Sequence, residues 1–325
     1  LTGRGGTKAT FRAVLQEVDD DLVRQQSDTS NGGPFFMGAT LTMVDVQFSS
    51  FLERMVSSLL YFKGFVIRHD PNKQPSTFTK NPTFPGINTW FEAMEQLPAY
   101  QLTKSDHYTH AHDLPPQLGG CAFEAGSQPY RKIIDGLAGS STWTLPLGDD
   151  DADFEPGWDW ACSDGTKDTN VTINAVPRRE AAERLIYNHD AIVSFACRGA
   201  GRMGMPPVMA PLSDPNAIPE DNIRASVDAS IRIVCSALLH YTSDRILSDN
   251  DDRTMNEIGK TIMSTDGTEE EKQRQHLQGV LDSLRYLRDR VGVPRDMRYP
   301  AARQLRAYLN WAIDTIDISM SSSAL

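Results

Sequence analysis

The chain has few cysteines, and they form no recognisable motif. Its 325 residues include only Cys121, Cys162, Cys197 and Cys235, which lie far apart without a C-x-x-C pair. Neither a zinc ribbon nor a dithiol redox centre is therefore predicted. Such wide spacing, in a chain large enough to need no covalent cross-links, favours free and reduced thiols.

Long hydrophobic runs and an excess of positive charge are also missing. No stretch approaches the roughly 18 apolar residues of a membrane-spanning helix, so we expect no direct membrane insertion. The formal net charge is −11, whereas phosphate contacts need a basic footprint, so we expect no nucleic-acid binding. The mean hydropathy of −0.41 is typical of a soluble globular protein.

The sequence contains no alternating strand pattern longer than a few residues, so it predicts an all-α fold. We divide it into a helical domain (1–115), an irregular, tryptophan-containing segment docked across helices (116–176) and a second helical region (177–325). Helical spacing of apolar residues predicts helices over 8–26, 46–62, 87–97, 178–198, 223–241, 272–291 and 300–316.

The first residue is Leu1, not Met, and no signal-peptide pattern follows it. We therefore expect a processed chain or a fragment.

The most informative stretch is a Gly/Pro turn at 33–38 followed by Thr42-x-x-Asp45. In such a capping box the Thr side chain accepts from an early helix N–H group, and the acid accepts from the Thr N–H group. Leu41 and Val46 have the spacing of a hydrophobic staple. We predict that these four residues fix the start of a central helix.

Residues 8–100 resemble the C-terminal helical domain of glutathione transferases. The resemblance rests on the helix Phe11–Arg24, the turn and box from Gly33 to Asp45, Phe51-Leu52-Glu53-Arg54, and Ile87–Glu95 with Leu97-Pro98-Ala99-Tyr100. It implies a helical bundle of that type. It also implies a preceding thioredoxin-like domain that binds glutathione, but nothing in this chain matches that domain. We therefore expect neither a catalytic residue nor a cofactor in this chain, and glutathione only if the full-length protein has the missing domain.

In that family a second substrate site lies beside the central helix. Here the resemblance makes Phe48, Phe51, Tyr61 and Phe62 candidates for the wall of an apolar substrate pocket. The alternative is that most of them pack in the core.

An arginine-rich block could bind an anionic ligand or an acidic partner. The alternative is that Asp289, Asp296 and the acidic stretch 244–272 neutralise it. Residues 286–306 also resemble a C-terminal extension of some algal and plant glutathione-transferase-like proteins, which implies a plastid location, with the cytoplasm as the alternative. The arginine-rich block itself spans 285–306, and its arginines are Arg285, Arg288, Arg290, Arg295, Arg298, Arg303 and Arg306.

Three histidines and two aspartates occur between Asp106 and Asp113. They are suitable ligand types for a transition metal. No helix is evident there to fix their geometry, and no second cluster completes a site, so we predict no metal.

Two functions remain open. The first is a non-catalytic docking or scaffold subunit with a protein partner, for which the resemblance of 286–306 implies a photosynthetic assembly, and a homodimer is also left open. The second is a glutathione transferase or reductase acting on small electrophiles, whose catalytic domain is missing from this chain. The absence of a positioned nucleophile or proton donor favours the first.

Overall fold

The computed structural model describes residues 8–68, 84–139, 142–147, 175–207, 214–240 and 267–322. These residues form an all-α fold, in which the only β-pairing is two isolated bridges, Phe35 with Gly38 and Arg202 with Ile218. The helices are α1 (Lys8–Ser27), α2 (Met43–Lys63), α3 (Pro85–Glu95), α4 (Pro98–Thr103), α5 (His107–Leu118), α6 (Gln128–Ile134), α7 (Ala175–Tyr187), α8 (His189–Ala196), α9 (Arg224–His240), α10 (Gly267–Arg288) and α11 (Tyr299–Ser322).

The chain divides into two compact units. The described part of the first comprises 8–68, 84–111 and 121–134. The described part of the second comprises 112–120, 135–139, 142–147, 175–207, 214–240 and 267–322. Residues of the predicted middle segment thus occur in both units.

All seven helices expected from apolar spacing are present, with one difference. The stretch predicted as one helix over 178–198 is two, α7 and α8, separated at Asn188. The apolar spacing continues on both sides of Asn188, so the sequence pattern does not reveal that this single residue departs from the helical conformation.

The expectation that residues 106–113 contain no helix is wrong. They lie largely within α5, and Asp106 caps its start. The Oδ1 atom of Asp106 accepts from the backbone N–H group of Thr109 at 2.9 Å. This Asp-x-x-Thr cap is a helix-start signal, but the polar composition of the segment hides it from a periodicity search.

The predicted capping box is present at the start of α2. Oδ2 of Asp45 accepts from both the backbone N–H group and the hydroxyl of Thr42, each at 2.8 Å. Oδ1 of Asp45 accepts from the backbone N–H group of Phe36 at 2.9 Å and from the indole N–H group of Trp90 at 3.0 Å. One fully buried carboxylate therefore joins the 35–38 turn, α2 and α3.

The core of the first unit lies where α1, α2 and α3 meet. Its buried members include Leu15, Leu22, Leu52, Val56, Phe84, Ile87, Trp90 and Phe91. α1 and α3 approach closely at Gly86, where a Cβ atom would lie 2.6 Å from the carbonyl oxygen of Asp19. The buried Asp19 carboxylate accepts from the N–H group of Ile87 at 2.8 Å, so α1 caps the start of α3.

Both residues of the predicted staple are exposed. Leu41 is 37% exposed and Val46 is 50% exposed. The start of α2 is therefore fixed mainly by the bonds to Asp45.

The core of the second unit lies between α7, α9, α10 and α11. Its buried side chains include Leu185, Val227, Ile231, Val234, Leu284, Leu305 and Leu309. The carboxylate of Glu180 accepts from Arg298 three times, from the backbone N–H group, Nε and Nη2, at 2.7 to 2.9 Å. This contact fixes the start of α11 against α7.

Of the three tryptophans predicted to dock the middle segment, Trp143 lies among the described residues, whereas Trp158 and Trp160 lie outside them. Trp143 is buried, and its carbonyl oxygen accepts from the Asn310 side chain at 2.8 Å. The guanidinium of Arg306 lies 4.9 Å from its ring centroid. Both contacts attach Trp143 to α11.

Two further expectations concern membranes and thiols. Among the described residues, no helix combines the length and the apolar character that crossing a membrane requires.

Cys121, Cys197 and Cys235 are free, and Cys162 lies outside the described residues. Burial raises the pKa of all three described thiols.

We predict that Asp45→Asn destabilises the first unit by about 2 to 3 kcal/mol, because an amide nitrogen replaces one acceptor and leaves buried donors unsatisfied. Urea unfolding measures the loss, and hydrogen exchange of the Phe36 amide and the Trp90 indole localises it. The control is Asp21→Asn, since the Asp21 side chain is 65% exposed. Equal stability of the two variants would contradict the role of Asp45.

Acidification should reproduce part of this loss. Burial favours the neutral form of Asp45, but hydrogen bonds from Phe36, Trp90 and Thr42 outweigh it and lower the pKa of the carboxyl group. A carboxylate whose pKa is lowered in the folded state stabilises that state above its unfolded pKa of about 3.9. The difference between the native chain and Asp45→Asn should therefore shrink below about pH 4.

Candidate functional site

A cluster of charged side chains lies inside the first unit, around Glu95. The Glu95 carboxylate accepts from Nζ of Lys104 at 3.0 Å and forms a two-pronged ion pair with Arg68. The Arg68 guanidinium also lies 4.8 Å from the centroid of the Phe91 ring. Because Glu95 and Lys104 are only 5% exposed, each charge depends on its partner for stabilisation.

Glu53 occupies a second position in this cluster. Its Oε2 atom lies 3.3 Å from Nε2 of His110 and 3.4 Å from the backbone nitrogen of Ser105. Burial, together with the charge and hydrogen bond of Glu53, raises the pKa of the Tyr100 hydroxyl above its usual range. Tyr100 therefore stays protonated and donates to Glu53.

His107 and Ser57 form the third part of the cluster. Nδ1 of His107 lies 2.8 Å from Oγ of Ser57, a distance at which a base can activate a hydroxyl. The adjoining cavity measures about 30 Å³, which is the volume of one water molecule. Burial lowers the pKa of His107 to about 3. The pair therefore forms a neutral, interior hydrogen bond with no room for a substrate.

The second unit contains a much larger cavity, of about 730 Å³, beside α7, α8, α10 and the start of α11. Four arginines and one acid line it: Arg184, Arg198, Arg290, Arg295 and Asp296. The remaining wall is largely apolar and includes Leu185, Ile192, Phe195, Leu287 and Leu305. A pocket of this size and composition can hold a small molecule that carries negative charge.

Two of these arginines stack on aromatic rings. The Arg290 guanidinium lies 3.6 Å from the Tyr286 ring centroid, and that of Arg198 lies 5.4 Å from the Phe195 centroid. The Phe195 and Tyr286 rings are themselves 5.1 Å apart. The four side chains form a continuous row, which we call the Arg–ring row. Stacking uses the face of a guanidinium and leaves its N–H edges to donate.

The third arginine, Arg295, is neutralised locally. Its guanidinium pairs with Asp296 at 2.7 Å and donates to the carbonyl oxygen of Arg290 at 2.7 Å. The hydrogen bond with Asp296 raises the pKa of Arg295. The same aspartate accepts from the N–H group of Gly292 at 2.7 Å, so it shapes the turn before α11.

The structure distributes the seven sequence-predicted arginines over different environments. Arg290 and Arg295 line the cavity, whereas Arg303 and Arg306 are buried. Arg285, Arg288 and Arg298 pair with Asp282, Asp289 and Glu180, respectively. Residues 241–266, most of the acidic stretch proposed to neutralise the block, lie outside the described residues.

The four aromatic residues predicted for a substrate pocket have different surroundings in the first unit. Phe48 packs on Phe36 with ring centroids 5.1 Å apart, and Phe51 is 60% exposed. Tyr61 and Phe62 are buried and contact each other and Phe123.

The histidines of the 106–113 segment have separate partners. His107 bonds Ser57, His110 bonds Glu53, and His112 lies 2.9 Å from Asp135. Within the described ranges, no three potential ligands converge on a point that suits a metal ion.

Sequence reasoning missed the buried charges of the first unit and half of the cavity arginines. Glu53 lies one residue after buried Leu52 and three before buried Val56, so an acid on the apolar face of a helix was the available signal. Arg184 and Arg198 carry no local signal, because only the packing of α7 and α8 on α10 brings them to the cavity.

Searches of the chain against models of protein families, characterised proteins and solved structures find no match. The resemblance of residues 8–100 to a glutathione transferase domain therefore stays a prediction.

We predict that His107 makes the first unit sensitive to mild acid. Below about pH 6.5 His107 binds a proton in the unfolded chain, whereas in the folded protein the buried imidazole stays unprotonated down to about pH 3. The free energy of unfolding should therefore decrease by up to about 1.4 kcal/mol for each unit by which the pH is lowered between these two values. His107→Gln should remove this slope, whatever its effect on stability at pH 7. The exposed His240 supplies the control His240→Gln, and an unchanged slope in His107→Gln would refute the assignment.

We predict that Gly199→Ala destabilises the second unit by about 1 to 3 kcal/mol. An added Cβ would lie 2.4 Å from the carbonyl oxygen of Asp282 and 2.5 Å from Cβ of Tyr286, so Arg198 and α10 would have to separate. Gly126→Ala is the control, because no described atom lies within 4 Å of its added carbon. Urea unfolding compares them, and identical midpoints would argue against close packing at Gly199.

Proposed function

We propose that this protein is a non-catalytic docking subunit that attaches to a protein partner in a larger assembly. The observation that carries the proposal is a group of exposed apolar side chains at the start of α2. Met43 is 74% exposed, Phe51 60%, Val46 50% and Val44 46%. Concentrated exposure of large apolar residues is characteristic of surfaces that bind other proteins.

Helical geometry places these residues on one broad side of α2. At about 100° per residue, Met43, Val44 and Phe51 lie within about 100° of one another around the helix, and Val46 lies about 60° beyond Met43. The bonds to Asp45 fix this end of the helix, so the surface is presented in a defined orientation. Pre-organisation of this kind lowers the entropic cost of binding.

The ionisable groups of the first-unit cluster have structural partners. Glu95 and Lys104 form a buried pair, Glu53 forms a part-buried pair with His110, and His107 is neutral beside a cavity of one water molecule. This supports a structural use of the cluster. The resemblance of 286–306 to an algal and plant extension favours a photosynthetic assembly in a plastid as the setting.

The test is Phe51→Glu in the full-length protein, followed by gel filtration of the native extract. A charge on a central apolar contact should weaken the complex by about 2 kcal/mol or more and move the protein to the free fraction. Leu102→Glu is the matched control, since Leu102 is 61% exposed on α4. Migration of the unmodified protein only as a free monomer or dimer would refute docking, with the dimer supporting self-association instead.

The alternative function is that of a glutathione transferase or reductase whose catalytic domain lies elsewhere in the full-length protein. Its support is the resemblance of residues 8–100 to the helical domain of that family. Retention of the full-length protein on glutathione-agarose, with turnover in a thiol-conjugation assay, would establish it. Flow-through without turnover would remove it.

A further inference from the structure

The 730 Å³ cavity of the second unit combines an apolar wall with cationic groups. Four arginines and one aspartate give its lining a formal charge of +3. Leu185, Leu287 and Leu305 are buried residues that contribute to the wall. An inorganic anion would leave this apolar surface unused, and a neutral hydrocarbon would leave the charges unpaired.

The Arg–ring row makes the cationic part a defined feature. Arg198 and Arg290 stack on Phe195 and Tyr286, which are themselves in contact. Within the described ranges, Nε of Arg290 is buried and has no hydrogen-bond partner. Each of these two guanidiniums makes one further donation of 3.4 Å to the described residues, from Arg198 to the carbonyl oxygen of Asp214 and from Arg290 to that of Tyr286. Most of their N–H donors therefore have no acceptor among the described residues and can donate to an incoming ligand.

Backbone packing fixes the position of this row. Gly199 lets the turn that carries Arg198 approach α10 so closely that a Cβ would lie 2.4 Å from a backbone oxygen. The hydrogen bonds between Gly292 and Asp296, 2.7 and 2.9 Å long, hold the turn that carries Arg295. A cavity lined by rigid elements retains more of its interaction energy on binding.

We propose that this cavity binds a small organic acid that has an extended apolar body and a single carboxylate. The hydrocarbon part contacts the wall of Leu185, Ile192, Leu287 and Leu305. The carboxylate accepts from the edges of Arg198 and Arg290. The volume suits such a ligand, because small-molecule pockets measure roughly 300 to 1,000 Å³. This inference is independent of the docking function, which rests on α2.

Isothermal titration calorimetry of the full chain with decanoate tests the proposal. We expect one saturable site, and binding at least about tenfold weaker for acetate, which lacks the apolar body, and for decyltrimethylammonium, which reverses the charge. Several equivalent sites, or equal binding of the cation, would overturn the proposal. Tighter binding of hexa-aspartate would overturn it in favour of an acidic peptide.

Variants locate the site. Arg290→Met and Arg184→Glu should each weaken decanoate binding by about tenfold. Arg184 is exposed, so its replacement tests the cavity without disturbing the core even if Arg290→Met fails to fold. Arg179→Met is the matched control, because Arg179 is on the same helix, 76% exposed and outside the lining. Unchanged affinity in Arg184→Glu and in every folded Arg290 variant would overturn the assignment.

Discussion

The first unit depends on one buried carboxylate. Asp45 accepts four hydrogen bonds, two from Thr42, one from Phe36 and one from the indole of Trp90. A buried charge is tolerated only when its partners are in place. The turn before α2, the first turn of α2 and the face of α3 must therefore assemble together. The exposed apolar residues that we propose for docking begin on this same helical turn, so their orientation follows from the same constraint.

Elsewhere the need to pair buried charges fixes helix positions. Glu95 pairs with both Arg68 and Lys104. Glu180 on α7 pairs with Arg298, the residue directly before α11, and so positions the start of that helix. In such pairs the guanidinium edge is occupied by a carboxylate. In the cavity of the second unit, Arg198 and Arg290 stack on aromatic rings, as Arg68 does on Phe91, but no carboxylate of the described residues occupies their edges. That difference separates arginines that support the fold from arginines able to bind a ligand, although all are alike in sequence.

The need to satisfy buried polar groups also explains the contact between Ser57 and His107 in the first unit. Ser57 and His107 lie at the distance of a nucleophile and its base, yet the volume beside them admits one water molecule. Catalysis needs a reacting atom positioned next to the nucleophile. The short distance is therefore better explained by mutual satisfaction of two buried polar groups. The proposed docking function depends on the exposed apolar residues of α2, whereas the buried charges of the first unit stabilise its fold.

Local patterns in the sequence are enough to predict the all-α fold, the approximate extent of seven helical segments and the Thr42–Asp45 box. These features are local, because helical periodicity and capping involve residues three or four positions apart. Helix packing, in contrast, is what brings the Trp90 indole to Asp45, lets Asp19 cap α3 and gathers Arg184, Arg198 and Arg290 around one cavity. Those contacts join residues tens of positions apart. Their geometry depends on how helices pack, which local spacing does not encode.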